Sequence, residues 1–231
     1  MASNVFVGKK PSPGKVLHLR VRRIPGGTFD CNIFLLTEGD ASILIDAGTG
    51  IGTQKAHRAL EELLRGSRFM GTALTHEHFD HSGGAKGISE RFGGDVWCSE
   101  ACSRIISGSD NMMTGSFLFG EDFQAIGKAS VVGDHLKAGP IELVVHHTPG
   151  HSQGSVCYFH EDTGSLFCGD LVFCDGGIGR YDLPGGDFNV LRSSVRSLLQ
   201  LPVRALYPGH GRIETGDPMA EIRMSASVID L

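Results

Sequence analysis

The 231-residue sequence has no block of basic residues, no CxxC pair, no low-complexity tract, no linker and no close internal repeat. With a formal net charge of −5 and no cationic run, nothing points to a nucleic-acid-binding surface. The start, Met1 to Lys15, lacks a continuous apolar stretch and carries Lys9, Lys10, Pro11 and Pro13. It therefore reads as neither an export signal nor a membrane span. The six cysteines, Cys31, Cys98, Cys102, Cys157, Cys168 and Cys174, are accordingly read as reduced thiols in the cytoplasm. Without a linker or repeat, the expectation is one large α/β layered domain over 1–231. With 33 glycines, that domain should be rich in tight turns.

Short branched and apolar runs at Val16–Val21, Asn32–Leu36 and Ser42–Asp46 read as strands, separated by glycine and aspartate. Ala56, Ala59, Leu60, Leu63 and Leu64 recur at helical spacing and predict a helix over Thr53–Leu64. Met70–Thr75 reads as a buried strand, Ala85–Phe92 as a helix, Val96–Cys98 as a short strand and Glu100–Ile106 as another helix. The second half has the same style. Strands are expected at Ser130–Val132, Ile141–His147, Ser155–Phe159, Ser165–Cys168 and Ala205–Tyr207, with helices at Phe188–Gln200 and Pro218–Ile229. The irregular segment Ser107–Ala125 contains Met112, Met113, Phe117, Leu118, Phe119 and Phe123. Two readings stand for it: a cover over the core, or an apolar loop over the active site. Strands mixed with amphipathic helices suit two packed sheets with helices outside.

The chemistry is concentrated in Thr75-His76-Glu77-His78-Phe79-Asp80-His81, directly after a buried strand. On a helix His76 and His78 would diverge, but on an extended strand end or tight loop they point the same way. Such a loop can aim His76 and His78 at one metal and leave Asp80 and His81 to face a second. A zincin motif is excluded, because HExxH would need histidine where Asp80 stands. Three imidazoles crowded together call for a cation. Three later segments each follow an apolar strand: Thr148-Pro149-Gly150-His151-Ser152, Phe167-Cys168-Gly169-Asp170 and Tyr207-Pro208-Gly209-His210-Gly211. Together they bring His, Asp and His to strand ends, where a shared rim can gather them.

In this order, HxHxDH then His, Asp and His, the sequence resembles the metallo-β-lactamase superfamily. The resemblance runs from Ile43-Leu44-Ile45-Asp46-Ala47-Gly48 to Pro208-Gly209-His210-Gly211. It implies a four-layer αβ/βα sandwich, the metallo-β-lactamase fold, with two divalent metal ions at one edge. It also implies that His76, His78 and His151 hold the first ion, that Asp80, His81 and His210 hold the second, and that Asp170 bridges them. Imidazole and carboxylate ligands suit zinc and also accept iron or manganese. A metal-bound water with its pKa near 7 supplies the nucleophile, with Asp80 orienting it or relaying its proton. The classical β-lactamases of this fold usually have cysteine where Asp170 stands. The flavodiiron proteins have glutamate where His78 stands, and the β-CASP nucleases need a large inserted domain.

Gly169-Asp170-Leu171-Val172-Phe173 followed by Gly179-Arg180-Tyr181-Asp182-Leu183-Pro184-Gly185-Gly186-Asp187 looks like the glyoxalase-II-like group. That likeness implies hydrolysis of a small-molecule thioester of the hydroxyacylglutathione type. Little chain follows His210, so the helical domain that grips glutathione in full-length relatives has no counterpart, and the chain resembles the compact single-domain members. The alternative is an iron-dependent persulfide dioxygenase, since those enzymes share most of these ligands. Lactone or phosphodiester hydrolysis on the same centre is a further one.

Smaller signals carry competing readings. Arg180 is a candidate substrate-binding residue, but an ion pair with Asp182 or Asp187 is the preferred reading. Asp46 is either a support for a metal-binding histidine or a turn residue. Cys168 reads as a small core residue. His146 and His147 fall on opposite faces of a strand and are not counted as ligands. Gly48, Gly50 and Gly52 do not make a dinucleotide loop, because Thr53 stands where the pattern needs glycine.

Overall fold

A computed structural model describes residues 18–230. In chain order the elements are β1 (Arg20–Ile24), β2 (Ile33–Glu38), β3 (Ala41–Ile45), α1 (Gln54–Leu63), β4 (Arg68–Ala73), α2 (Phe79–Ser82), α3 (Ala85–Phe92), β5 (Asp95–Cys98) and α4 (Glu100–Ser107). A 3₁₀ turn at Ser116–Phe119 follows, then β6 (Ser130–Val131), β7 (His135–Ala138), β8 (Ile141–His147), β9 (Val156–His160), β10 (Ser165–Gly169), α5 (Phe188–Ser197), β11 (Ala205–Pro208) and α6 (Pro218–Val228). The first sheet has the order β1-β2-β3-β4-β5-β6 and the second β11-β10-β9-β8-β7.

Alternation along the strands creates the layers. In β2, Phe34 and Leu36 enter the core between the two sheets, while Ile33 and Leu35 face the core under the helices of the first half. In β9, Val156 and Tyr158 point to the inter-sheet core, and Cys157 and Phe159 point to the layer filled by Leu191 and Val195 of α5 and Ile222 of α6. Strands covered on both faces read as nearly continuous apolar runs, which is what β2, β3 and β10 show. The four-layer αβ/βα sandwich expected from the sequence is therefore present.

Three differences from the sequence reading have physical reasons. The first strand begins at Arg20 rather than Val16, and Val16 and Leu17 lie outside the described residues. Arg20, Arg22 and Arg23 are exposed on an edge strand, where charge blocks further pairing. The strand β7 has no counterpart in the sequence reading, because only Leu136 and Ala138 are buried in its His-Leu-Lys-Ala sequence. The short helix α2 interrupts the histidine-rich motif, which reads as a loop from sequence. None of the described helices is long and apolar enough to cross a membrane.

The sheets deliver their functional ends to one edge. β10 and β11 run parallel, so Asp170 and His210 leave neighbouring C-terminal ends. β9 is antiparallel to β10, which puts its entry, and the preceding turn with His151, at that same edge. Cross-sheet bonds close the edge. Tyr158 Oη donates to the Leu74 carbonyl (2.9 Å), and the Val156 amide donates to the Thr75 carbonyl (2.8 Å).

Candidate metal centre

All seven ligands expected from the sequence converge. His76 Nε2 lies 3.3 Å from His151 Nε2, which is 2.8 Å from His78 Nδ1. These three imidazoles form one potential ligand group, and Asp80, His81 and His210 form another. Asp170 stands between them. Its carboxylate is 3.2 Å from His81 Nε2, 3.7 Å from His151 Nε2 and 3.6 Å from His210 Nε2. Asp80 reaches His210 Nε2 at 3.0 Å. Close backbone approach makes this possible, since a Cβ on Gly209 would overlap Asp170 Oδ1 and His81 Cε1.

Three of the imidazoles are turned toward the centre by a bond on the far side. His151 Nδ1 donates to the Arg180 carbonyl at 2.7 Å. His76 Nδ1 lies 3.0 Å from Thr75 Oγ1, whose own proton goes to Asp46 Oδ2 at 2.8 Å. His81 Nδ1 donates to the same Asp46 oxygen at 2.8 Å. This pattern fixes the tautomer and aims the other ring nitrogen at a cation. Asp46 thus hydrogen-bonds a histidine of the motif, so the two readings left open by sequence are not exclusive. It also makes the turn, with φ of 62°, a left-handed conformation that aspartate tolerates.

The electrostatics match a cation site. Burial, followed by the neighbouring imidazoles, pushes His76 well down and His78 to about 3, and burial also lowers His151. These rings are neutral and available as ligands. At His81 burial works in the same direction, but the neighbouring Cys31 and then the carboxylates of Asp170, Asp46 and Asp80 outweigh it and raise its proton affinity. His81 Nε2 and Asp170 Oδ1 are both buried without a hydrogen-bond partner. With Nδ1 committed to Asp46, the proton that the raised affinity holds on Nε2 faces the Asp170 carboxylate at 3.2 Å, and a metal ion in place of that proton would satisfy both atoms. The residues present therefore fit two divalent ions.

The centre opens into a cavity of about 310 Å³ whose apolar wall includes Leu118, Phe119, Phe173, Ile178 and Leu183. The segment Ser107–Ala125 divides between its two readings. Phe123 is buried in the first-half core and Phe119 packs on Phe79 with centroids 5.3 Å apart, whereas Leu118 is 56 % exposed and lines the cavity. Arg180 also lines the cavity, with its guanidinium paired to both Asp182 oxygens at 2.9 Å. Asp187 instead caps α5 by accepting from the Val190 amide. Cys168 is buried in the core as expected, and His146 and His147 lie on β8 outside both ligand groups.

Two residues that the sequence did not single out shape the site. Asn32 Nδ2 donates to the carbonyls of Pro208 (2.9 Å) and Gly211 (3.1 Å), pinning the His210 loop to the first sheet. No local signal marks it, since its partners are 176 and 179 positions away. Glu77 is fully buried between the two histidines of the motif, and the alternation that aims His76 and His78 one way sends it the other way.

Comparison with known proteins identifies the family. The metallo-beta-lactamase superfamily model matches residues 26–210. A probable metallo-hydrolase from Bacillus subtilis, YqgX, is 34% identical over 199 residues, covering 84% of this chain and 90% of the relative. The hydroxyacylglutathione hydrolase GloC of Haemophilus influenzae is 28% identical over 206 residues, covering 85% and 93%. Among solved structures, the BLEG-1 B3 metallo-beta-lactamase superposes with a TM-score of 0.74 at 28% identity, over 90% of this chain and 96% of the other. The di-iron-bound form of TTHA1623 gives 0.72 at 27% identity, over 90% and 97%. With its fold, its ordered ligand motifs and a family match across most of its length, the chain belongs to the metallo-β-lactamase superfamily.

Proposed function

We propose that the chain is a binuclear metal-dependent hydrolase that cleaves a thioester of the hydroxyacylglutathione type. The observation that carries this reading is the pair of ligand groups sharing Asp170 at the floor of the cavity. His76, His78 and His151 hold the first ion; Asp80, His81 and His210 hold the second; Asp170 bridges. Zinc is the preferred metal on the chemistry of three imidazoles in one group and imidazole with carboxylate in the other. When bound, the ions supply Lewis acidity and an activated water at neutral pH. Asp80, in hydrogen-bond reach of His210, orients the attacking water and receives its proton. The apolar wall takes the uncharged part of the substrate and limits bulk water. Arg180, which lines the cavity, meets a substrate carboxylate by exchanging its exposed pairing with Asp182, a contact that contributes little. The 28% identity to GloC supports the thioester class. All six thiols are free, five of them buried, in keeping with a cytoplasmic protein.

The test uses metal-loaded protein. Zinc reconstitution is expected to reach two ions per chain by elemental analysis, and that form is expected to cleave lactoylglutathione without oxygen uptake. Iron-loaded protein given glutathione persulfide is expected to consume little oxygen. Rapid oxygen uptake with iron, and no thioester cleavage by any metal form, would replace the hydrolase reading with the dioxygenase one.

The exposed position of Leu118 leads to a separate expectation. Leu118→Ala should raise KM about five-fold, equivalent to losing about 1 kcal/mol of apolar contact with substrate, while Tm stays nearly constant. A large drop in Tm with unchanged KM would assign Leu118 to packing alone.

A further inference from the structure

Glu77 sits between two ligands of the first group yet has no place in either. Its carboxylate turns away from the cavity and receives the Gly154 amide, at 3.2 and 3.1 Å from its two oxygens. Gly154 belongs to the short turn that begins with His151. A Cβ at Gly154 would overlap both the Glu77 carboxylate and Cys102 of α4, so this close seat exists only because the residue is glycine. The seat is locked from both sides. Ser99 Oγ donates to the Gly154 carbonyl at 2.8 Å, and Ser82 Oγ donates to the Glu77 carbonyl at 2.7 Å. A buried carboxylate is costly to place, and the Gly154 amide offsets part of that cost by donating to its oxygens, while the two serines fix the backbone on either side. The return is geometric. His76 and His78 leave the end of β4 in the first sheet, while His151 comes from the β8–β9 turn of the second. Glu77 is the side chain that joins the histidine-rich motif directly to the turn carrying His151.

We infer that Glu77 is a positioning residue for the three-histidine metal site, setting His151 against His76 and His78 through the Gly154 amide. The inference rests on the metal site proposed above but not on any substrate. It also accounts for the residue type: an acidic side chain between two metal-binding histidines, with neither carboxylate oxygen spent on metal. Glutamine keeps one acceptor oxygen for the Gly154 amide but replaces the other by a donor, so it should retain part of the effect. Alanine removes the link.

Cobalt(II) is the probe, with visible absorption of the bound ion and chelator competition as readouts and circular dichroism as the check on folding. Glu77→Ala is expected to weaken cobalt binding at the three-histidine site by about 10- to 100-fold, the usual effect of losing a partner outside the ligand shell. Its absorption spectrum should change while the second site still fills. Glu77→Gln should fall between alanine and the native protein, and it carries the test if the alanine variant does not fold. His151→Ala serves as the control that removes a ligand outright. Native cobalt affinity and spectrum in a folded Glu77 variant, beside a clear loss in the His151 control, would overturn the inference while leaving the metal site intact. No loss in the His151 control would overturn the site and the inference with it, whatever the outcome with thioesters.

Discussion

Asp170→Ala is expected to lower turnover by about three orders of magnitude, about 4 kcal/mol in the barrier, and to leave at most one tightly held metal per chain. The Asp170 carboxylate lies within 4 Å of histidines from both ligand groups, reaching His151, His81 and His210. Losing it removes an anion from between two cations and leaves His81 Nε2 without the group it faces. The change should not unfold the sandwich. Asp170 follows the last residue of β10, and the core residues Phe167 and Leu166 before it keep their contacts in the two layers. Elemental analysis, kinetics and circular dichroism on the same sample separate these effects. Near-native turnover with two ions per chain would show that Asp170 does not bridge.

The proposed ligands were legible because each of the four segments that carry them follows a strand. His76, His151, Asp170 and His210 all obey that rule, and the parallel run of β10 and β11 explains why strand ends far apart in sequence meet. Sequence was weaker where a residue's meaning depends on a distant partner. Asn32 is an ordinary polar residue ahead of a strand until its side chain is seen to hold Pro208 and Gly211. Arg180 stands out for its guanidinium, yet its backbone carbonyl makes the bond that orients His151. Elements with strong periodicity, such as Ala85–Phe92 and Ile141–His147, match the structure at both ends. The strand His135–Ala138 was not legible because an exposed edge strand keeps polar residues at every second position. Glu77 lies within reach of the same alternation that pairs His76 with His78, since a residue between two that face the metals must face the interior behind them.

Asp46 holds Nδ1 of His81 and so leaves Nε2 as the nitrogen for the proposed second metal, which makes Asp46→Asn an informative single change. The aspartate uses both oxygens. Oδ1 receives the Thr75 amide (2.7 Å), and Oδ2 receives Thr75 Oγ1 and His81 Nδ1, each at 2.8 Å. Asparagine tolerates the same left-handed backbone, so the turn is conserved. If its oxygen stays with the Thr75 amide, its NH₂ faces two donors. His81 then moves its proton to Nε2, where the lone pair for the second metal belongs. Affinity at the second site is expected to fall about 10- to 100-fold, with turnover falling in step, while the three-histidine site keeps its ion. Asp46→Ala should be far worse for stability, because it strands three buried donors, at about 1–3 kcal/mol each. The tautomer is read directly from nitrogen-15 shifts of the His81 ring in metal-free protein at alkaline pH, where the ring is neutral, and the second-site affinity from zinc titration against a chelator. An Asp46→Asn variant that keeps the proton on Nδ1 and binds two zinc ions as tightly as the native chain would remove Asp46 from the control of His81.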